Sequence, residues 1–230
     1  MSILLVPGYM ADETLWDDVR GPLEQFGPVL HADLRHDDSI EAMAARAVAA
    51  APGSFILVGF SMGGYVAREI ARLAPERVRA LVLIATSTRA DTPSLRQSRG
   101  TVGKAAASVS FSGLSKTAIA TSLHPQQAGN DALIERVRAM GVRLGGEVFR
   151  RQSSIVRTSD RERLHEIRCP TLVIAAGQDR LRSREEGEEL HAGLPASDFA
   201  LIEDSGHMLP IEAPEALLAV MLPWLEKVAQ

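Results

Sequence analysis

Six short apolar runs recur along the chain, and segments with helical spacing separate them. Within each run the apolar positions are continuous rather than alternating, which is typical of strands buried on both faces of a parallel sheet. Amphipathic segments such as Glu41–Ala50 and Val66–Ala74 lie between the runs. The alternation predicts an α/β fold with a mostly parallel sheet flanked by helices. The runs are Ile3–Val6, Val29–His31, Phe55–Val58, Ala80–Ala85, Leu172–Ala176 and Phe199–Ile202.

The pattern changes between Thr88 and Glu166. This stretch contains no apolar run suited to a buried strand, and Ser, Ala, Gly and Arg dominate it. Leu133, Val137 and Met140 are spaced for one face of a helix. The glycines of the stretch are expected to divide it into short helices.

The sheet pattern resumes at Pro170. Proline suits the first position of a strand, because it cannot donate a hydrogen bond from the interior of a sheet. We therefore predict a single core formed by residues 1–87 and 167–230, interrupted by a helical insertion at residues 88–166. No internal repeat or low-complexity tract competes with this division.

The composition narrows the class of protein. Of 230 residues, 46% are apolar and 23% are charged, so neither a disordered protein nor a coiled coil fits. The chain has 25 basic and 29 acidic residues, which gives a net charge of −4. Because no basic field is available to hold a phosphate backbone, no nucleic-acid partner is expected.

Cysteine usage and the N-terminal residues indicate a compartment. Cys169 is the single cysteine, so an internal disulfide and a cysteine-rich zinc site are excluded. The apolar run Ile3–Val6 is too short for a signal peptide or a membrane span. We expect a soluble protein of the reducing cytoplasm with no membrane partner, and the sequence does not predict its oligomeric state.

The most informative segment is Phe55–Val66, in which an apolar run is followed by Gly59-Phe60-Ser61-Met62-Gly63 and then by helical spacing. Gly-x-Ser-x-Gly between a strand and a helix is typical of a sharp turn that lifts the serine Oγ clear of the backbone. The following helix directs backbone N–H groups to the space above the serine, where an oxyanion would form. Ser61 is therefore the candidate nucleophile. The alternative is a glycine-rich turn with an incidental serine.

With this segment and three others, the chain resembles the α/β-hydrolase superfamily, and most of all its compact, lidded bacterial esterases. Leu4–Tyr9 with Trp16 is similar to the loop after the family's first strand. Ala74–Val78 is similar to the end of the helix that follows the nucleophile. Ser205–His207 with Glu212–Glu215 resembles the segment of the catalytic histidine. The resemblance implies the α/β-hydrolase fold and a serine hydrolase that needs neither a cofactor nor a metal.

A serine nucleophile needs a base, and the base needs a carboxylate to orient it. Among six histidines, His207 is the candidate base, because it follows an apolar run in a short loop at the carboxyl edge of the predicted sheet. In the chain order of this fold the acid lies between the serine and the histidine, which favours Asp179, just after the run that ends at Ala176. Asp91 is the alternative acid, since some members of the superfamily place it after the preceding strand.

Two backbone donors are expected to form an oxyanion hole. The fold supplies the N–H of the residue after the nucleophile, which is Met62. The resemblance places the second donor at Tyr9, immediately after Gly8. The family often has a histidine where this chain has Pro7, so Met10 remains an alternative donor.

Two charged groups of residues suggest other chemistry. His31–Asp38 contains five potential metal ligands, but it has neither a helical histidine pair nor the spacing of a calcium loop, so a solvated turn is favoured and no metal site is expected. Five arginines of the insertion are most simply predicted to form a solvated helix face. If several of them point into the site, they would favour an acidic substrate. They are Arg136, Arg138, Arg143, Arg150 and Arg151.

Together these features predict a cofactor-free enzyme that cleaves a small-molecule carboxylic ester through an acyl-enzyme on Ser61. Lactones, thioesters and carbon–carbon bonds are substrates compatible with the same mechanism. The alternative is a small-molecule receptor or sensor with little or no turnover, because some receptors of the superfamily retain the same three residues.

The insertion at residues 88–166 is predicted to form a helical lid over Ser61. A cover of this kind would exclude water and select the substrate. Six apolar residues of the insertion are candidates for an acyl-binding wall: Val109, Phe111, Leu114, Ile119, Leu123 and Phe149.

Overall fold

The computed structural model describes residues 1–94, 97 and 111–228. Its six strands form one parallel sheet in the order β2-β1-β3-β4-β5-β6. Each predicted apolar run overlaps one of these strands, so the predicted parallel sheet is confirmed. The strands are β1 (Ser2–Val6), β2 (Val29–His31), β3 (Phe55–Phe60), β4 (Val78–Ile84), β5 (Thr171–Ala176) and β6 (Ser197–Ile202).

Helices cover both faces of the sheet. Ser39 caps one of them by accepting a hydrogen bond from the backbone N–H of Ala42. The described residues contain no helix that combines the length and the apolarity needed to cross a bilayer. The α-helices are α1 (Arg20–Leu23), α2 (Ile40–Ala50), α3 (Met62–Leu73), α4 (Lys116–Ser122), α5 (Asp131–Ser154), α6 (Arg184–Gly193), α7 (Leu209–Glu212) and α8 (Pro214–Val228). Short 3₁₀ helices lie at Glu13–Trp16, Glu24–Phe26, Pro125–Gln127 and Arg161–Glu166.

The continuous apolar runs are explained by two cores, one on each face of the sheet. In β1, Ile3 and Leu5 belong to the core that includes Trp16 and residues of α8. Leu4 and Val6 point to the other face and join the core formed with α2 and α3. Because successive side chains of a strand point to opposite faces, a strand buried on both sides must be apolar at every position.

The strand order creates a crevice between β1 and β3. The chain passes from β1 to β2 on one side and then returns to place β3 on the other side of β1. In open parallel sheets, ligands bind at such a reversal, beyond the carboxyl ends of the strands. Ser61 directly follows β3, and the loop that contains Tyr9 directly follows β1. The topology therefore brings both candidate residues to this crevice.

The glycines divide the described part of the insertion at some positions and not at others. Gly129 lies in the turn before α5, and Gly145 has a non-helical backbone (φ 80°, ψ 172°) that separates two helical segments within α5, so the expected division is confirmed there. Gly141 lies inside the first segment without a break, and that part of the prediction was wrong. A glycine in a helix costs only about 1 kcal/mol relative to alanine, and the packing of buried residues such as Val137 and Met140 outweighs that cost. Gly100, Gly103 and Val109 lie outside the described residues.

A buried ion-pair network ties the end of the insertion to helix α3. The Arg68 guanidinium is fully buried and donates to both carboxylate oxygens of Asp160, at 2.7 and 2.9 Å. Thr88 and Arg72 also donate to this carboxylate. Burial by itself raises the pKa of Asp160, but the charge and hydrogen bonds of Arg68 outweigh it and hold the pKa below 3.8. Residues 88 and 160 are thereby fixed against α3.

We predict that Asp160→Asn lowers the free energy of unfolding by about 3 kcal/mol at neutral pH, because Arg68 would remain buried without its counter-charge. A depressed pKa contributes stability above the unfolded-state value and loses it as the pH falls. Urea denaturation at pH 7 should show the loss, and the variant should depend less on pH than the wild type below about pH 4. Asp131→Asn, which breaks the exposed pair with Lys116, is the matched control. Equal midpoints for wild type and Asp160→Asn would contradict the prediction.

Candidate active site

Ser61 lies at a strained turn between β3 and α3. Its φ of 53° and ψ of −115° are unusual for a residue with a side chain. Two hydrogen bonds hold this conformation: the Ser61 N–H donates to the Ile84 carbonyl at 2.9 Å, and the Thr86 hydroxyl donates to the Ser61 carbonyl at 2.7 Å. Ser61 Oγ is presented to the cavity above the sheet. The predicted nucleophile turn is therefore present.

Two glycines flanking Ser61 allow this turn to pack closely. A Cβ on Gly59 would lie 2.7 Å from the Ala67 Cβ atom and from the Gly63 carbonyl. A Cβ on Gly63 would collide with the carbonyl oxygens of Val6 and Pro7 at the end of β1. The absence of side chains lets the first turn of α3 lie directly against the loop that follows β1.

His207 lies between the other two predicted residues. Its Nε2 atom is 2.9 Å from Ser61 Oγ, and its Nδ1 atom is 2.7 Å from Asp179 Oδ2. All three side chains are buried. The Phe60 ring lies against the imidazole, with ring centroids 5.1 Å apart. A proton on Nδ1 shared with the carboxylate leaves Nε2 free to accept the Ser61 hydroxyl proton.

The loop after β5 orients Asp179. Its Oδ1 atom accepts hydrogen bonds from the backbone N–H groups of Leu181 and Arg182, at 2.7 and 2.9 Å, which leaves Oδ2 directed at His207. The alternative acid, Asp91, is buried elsewhere and accepts the backbone N–H of Arg157 at 3.2 Å. The structure thus brings Asp179, rather than Asp91, to the imidazole.

The His207 loop is fastened to the insertion. The His207 N–H donates to the carbonyl of Ser122 at the end of α4. The partly buried Glu212 carboxylate accepts backbone N–H bonds from Met208 and from His124. Burial raises the pKa of Glu212 above 4.5, and these backbone donors oppose the rise. The Glu212 segment carried the family resemblance, but nothing in the sequence indicated this contact.

The candidate oxyanion donors come from α3 and from the loop after β1. Met62 is the first residue of α3, so its N–H has no acceptor within the helix. The Met10 N–H donates to the Gln152 side chain at 2.9 Å and is therefore directed away from this role. The Tyr9 hydroxyl is 2.7 Å from Ser153 Oγ. Gln152 and Ser153 hold the loop, and no pattern in the sequence indicated either contact.

A cavity of about 420 Å³ opens above Ser61. Leu114 and Ile119, two of the predicted wall residues, line it. The other described candidates do not, and that part of the prediction was wrong: Leu123 packs in the main core, and the rings of Phe111 and Phe149 stack on each other with centroids 4.7 Å apart. The cavity is lined by Tyr9, Met10, Ala11, Phe60, Ser61, Leu114, Ala118, Ile119, Thr121, Ser122, Val137, Met140, Arg157, Leu181, Arg182, His207 and Met208.

The five arginines singled out in the insertion do not line this cavity. Arg143 pairs with Asp12 at 2.7 Å, and Arg136 pairs with Asp18. Arg138 pairs with Glu135, and Arg150 pairs with Glu147. Arg151 donates to the Arg35 carbonyl. The arginines that do line the cavity, Arg157 and Arg182, were not indicated by the sequence.

The charged residues that follow β2 pair with nearby charged residues. Asp33 accepts hydrogen bonds from Arg35 and lies 3.1 Å from His36 Nε2. Arg35 holds the pKa of the Asp33 carboxyl far below its usual value. Asp37 is paired with Arg46. In the ranges described, no three His, Cys, Asp or Glu side chains form a group suited to a metal ion.

Comparison with known proteins gives one match over nearly the whole chain. Residues 3–220 match the family described as the alpha/beta hydrolase family. An esterase from Thermogutta terrifontis, solved with malate bound, is 27% identical and superposes with a TM-score of 0.85 over 100% of this chain and 91% of its own. An enol-lactonase from Burkholderia xenovorans LB400 has a TM-score of 0.84, with 98% of this chain and 91% of the other covered, but is 18% identical and so shows the fold alone.

Curated relatives give a second comparison. A pimeloyl-[acyl-carrier protein] methyl ester esterase of Neisseria meningitidis is 27% identical over 99% of this chain and 94% of its own length. A dihydrolipoyllysine-residue acetyltransferase component of an acetoin cleaving system, from Pseudomonas putida, is 28% identical over 90% of this chain. The chain spans about half, 52%, of that second relative. The predicted fold is confirmed by these matches, whereas the roles of individual residues stay predictions.

We predict that Asp179→Asn lowers kcat by about four orders of magnitude, because an amide at this position favours the wrong imidazole tautomer. Asp91→Asn, a matched change at the alternative acid, should lower kcat much less. Circular dichroism and thermal unfolding would show whether each variant is folded. The assignment of the acid is wrong if folded Asp179→Asn keeps wild-type turnover while folded Asp91→Asn loses it.

Proposed function

Because the chain belongs to the alpha/beta hydrolase family, we propose that it is a serine hydrolase that cleaves a small carboxylic ester through an acyl-enzyme. The observation that carries the proposal is the unbroken hydrogen-bonded line from Ser61 Oγ through His207 to Asp179 at the base of a cavity. Each member of the line sits beyond the carboxyl end of a different strand, where this architecture places reacting groups.

The proposed reaction proceeds in two halves. Ser61 Oγ attacks the ester carbonyl carbon while His207 Nε2 takes the hydroxyl proton, and the Asp179 carboxylate stabilises the imidazolium. The N–H groups of Met62 and Tyr9 bind the developing oxyanion. The C–O bond to the alcohol then breaks, and His207 returns the proton to the leaving oxygen. Water, activated by the same imidazole, releases the acid and regenerates Ser61.

The curated relatives support hydrolysis of an acyl ester. The Neisseria relative is named for cleaving a methyl ester, and the match covers nearly all of both chains. The Pseudomonas relative is named for acyl transfer and is matched over about half its length. Both names concern chemistry at an acyl carbonyl, which the proposed acyl-enzyme shares. The proposed substrate class is a small ester or lactone.

We also propose that the insertion acts as a lid that selects the substrate. The contacts of α4 and α5 with the cavity support this role: Ile119, Val137 and Met140 line it beside Ser61. The Ser122 carbonyl, which accepts the His207 N–H, joins the cover to the proposed base. Excluding water in this way strengthens the oxyanion hydrogen bonds, because the local dielectric falls.

The proposed setting is the reducing cytoplasm, with a small molecule as the binding partner. Burial raises the pKa of the Cys169 thiol, which favours the unreactive protonated form. No step of the reaction requires a metal or an organic cofactor, since Ser61, His207 and two backbone donors supply its chemistry.

We expect sustained turnover on a panel of p-nitrophenyl acetate, butyrate and hexanoate, measured by release of p-nitrophenol. Ser61→Ala should lower kcat by at least about 10⁴-fold, because the acyl-enzyme can no longer form. Ser159→Ala, a change at an exposed serine, is the matched control and should keep wild-type turnover.

Two results would contradict the proposed function. A single stoichiometric burst followed by silence on every ester would favour a receptor or sensor over an enzyme. Turnover retained by folded Ser61→Ala would place the hydrolysis elsewhere on the protein.

A further inference from the structure

Two arginines line the cavity above Ser61. Arg182 comes from the loop after β5, where its own backbone N–H donates to Asp179, the proposed orienting carboxylate. Arg157 comes from the segment that follows α5. Their guanidinium carbons are 6.0 and 5.7 Å from the centroid of the same Tyr65 ring.

The ion pair of Arg182 is long. Its Nη1 atom is 3.4 Å from Glu186 Oε1, whereas charge-assisted hydrogen bonds between nitrogen and oxygen normally measure about 2.7–2.9 Å. The second oxygen of Glu186 is already used, because it accepts the Ser183 N–H at 2.8 Å. This pair partly balances the charge of Arg182 without matching the geometry of a good guanidinium–carboxylate contact. Arg157, in contrast, is paired with the buried Asp91.

Two other arginines with buried side chains are held more tightly. Arg68 reaches Asp160 at 2.7 Å with two guanidinium nitrogens on one carboxylate, and Arg72 reaches Glu69 at 2.9 Å. Arg182 has only 14% of its side chain exposed, so it has lost most of its water contacts without gaining a bidentate partner. Such an arrangement is costly unless a further anion binds there.

The remainder of the cavity is apolar. Leu114, Ile119, Val137 and Met140 line it from the insertion, and Met10 lines it from the loop after β1. A ligand that reaches Ser61 therefore meets apolar side chains and a wall that carries two guanidinium groups. The volume of about 420 Å³ lies near the lower end of the range for ligand pockets, which suits a short molecule.

We propose that the ester cleaved at Ser61 carries a second, ionised carboxylate, which Arg182 binds. Such a substrate is a monoester of a short dicarboxylic acid or an ester of a short hydroxy acid. This inference rests on the proposed function and narrows its substrate class. A neutral ester would leave the Arg182 guanidinium with its one long contact to Glu186, whereas a carboxylate would supply well-placed oxygen acceptors.

The test compares charged esters with neutral esters of the same length. Monomethyl glutarate against methyl pentanoate places the charge on the acyl part; 3-acetoxypropanoate against propyl acetate places it on the alcohol part. For wild type, we expect kcat/KM to favour the charged ester in one of these pairs, and that pair identifies the side of the scissile bond that faces Arg182. Arg182→Gln should lower this charged-to-neutral ratio roughly ten- to hundredfold.

Two further variants separate binding from structural effects. Arg184→Gln removes the same charge from an exposed residue that pairs with Glu188, and it should leave the ratio at the wild-type value. Arg182→Lys keeps the charge and should restore part of the preference lost in Arg182→Gln. Thermal unfolding would show that each variant is folded.

The outcomes distinguish this proposal from the proposed function. Turnover of neutral esters with no preference for the charged partner, or a ratio that Arg182→Gln does not change, would overturn the carboxylate site and leave the hydrolase intact. If no ester is turned over, the hydrolase proposal fails, and calorimetry still tests the site. In one of the two pairs, the charged ester should bind Ser61→Ala at least about tenfold more tightly than its neutral partner. Equal affinities within both pairs would overturn the site.

Discussion

Ser61 occupies a backbone conformation that residues with side chains rarely adopt, and the candidate site is arranged around that turn. A φ of 53° costs free energy, which the surroundings offset through hydrogen bonds from the Ser61 N–H and from Thr86. The turn also requires that nothing larger than hydrogen project from Gly59 and Gly63. In return, Ser61 lines the cavity directly at the N-terminus of α3.

The site is held together by contacts between the sheet edge and the insertion. Ser122 accepts the His207 N–H, Glu212 binds N–H groups from both segments, and Gln152 accepts the Met10 N–H. The buried Arg68–Asp160 pair fixes the far end of the insertion to the helix that follows Ser61. The His207 loop and the loop after β1 are thus held both by the sheet and by the insertion. Such bracing is what a reaction that depends on near-attack geometry requires.

The sequence predicted best what depends on local pattern. The six strands followed from continuous apolar runs, and Ser61 followed from two glycines at fixed offsets between a strand and a helix. His207 and Asp179 followed from their positions after strands, because parallel strands deliver their carboxyl ends to one edge. Asp91 also follows a strand and lies between Ser61 and His207, so the chain order of the fold permitted both acids, and the structure brings Asp179 to the imidazole.

Contacts between distant segments could not be predicted in this way. Arg157 reaches the cavity from the insertion and Arg182 reaches it from the loop after β5, and no spacing in the sequence marks either of them among 25 basic residues. The same holds for Gln152, whose partner Met10 is 142 residues away. Phe149 was predicted to line the cavity because it is apolar, but its ring packs against the ring of Phe111 instead.

The central claim, that Ser61 is an activated nucleophile, is tested most directly by covalent labelling. Wild-type protein treated with a fluorophosphonate probe, digested and mapped by mass spectrometry should carry the label on Ser61 alone. His207→Ala should remain folded and label far more slowly, because the base that removes the hydroxyl proton is gone. Labelling at another serine, or no labelling of folded protein that turns over esters, would contradict the account.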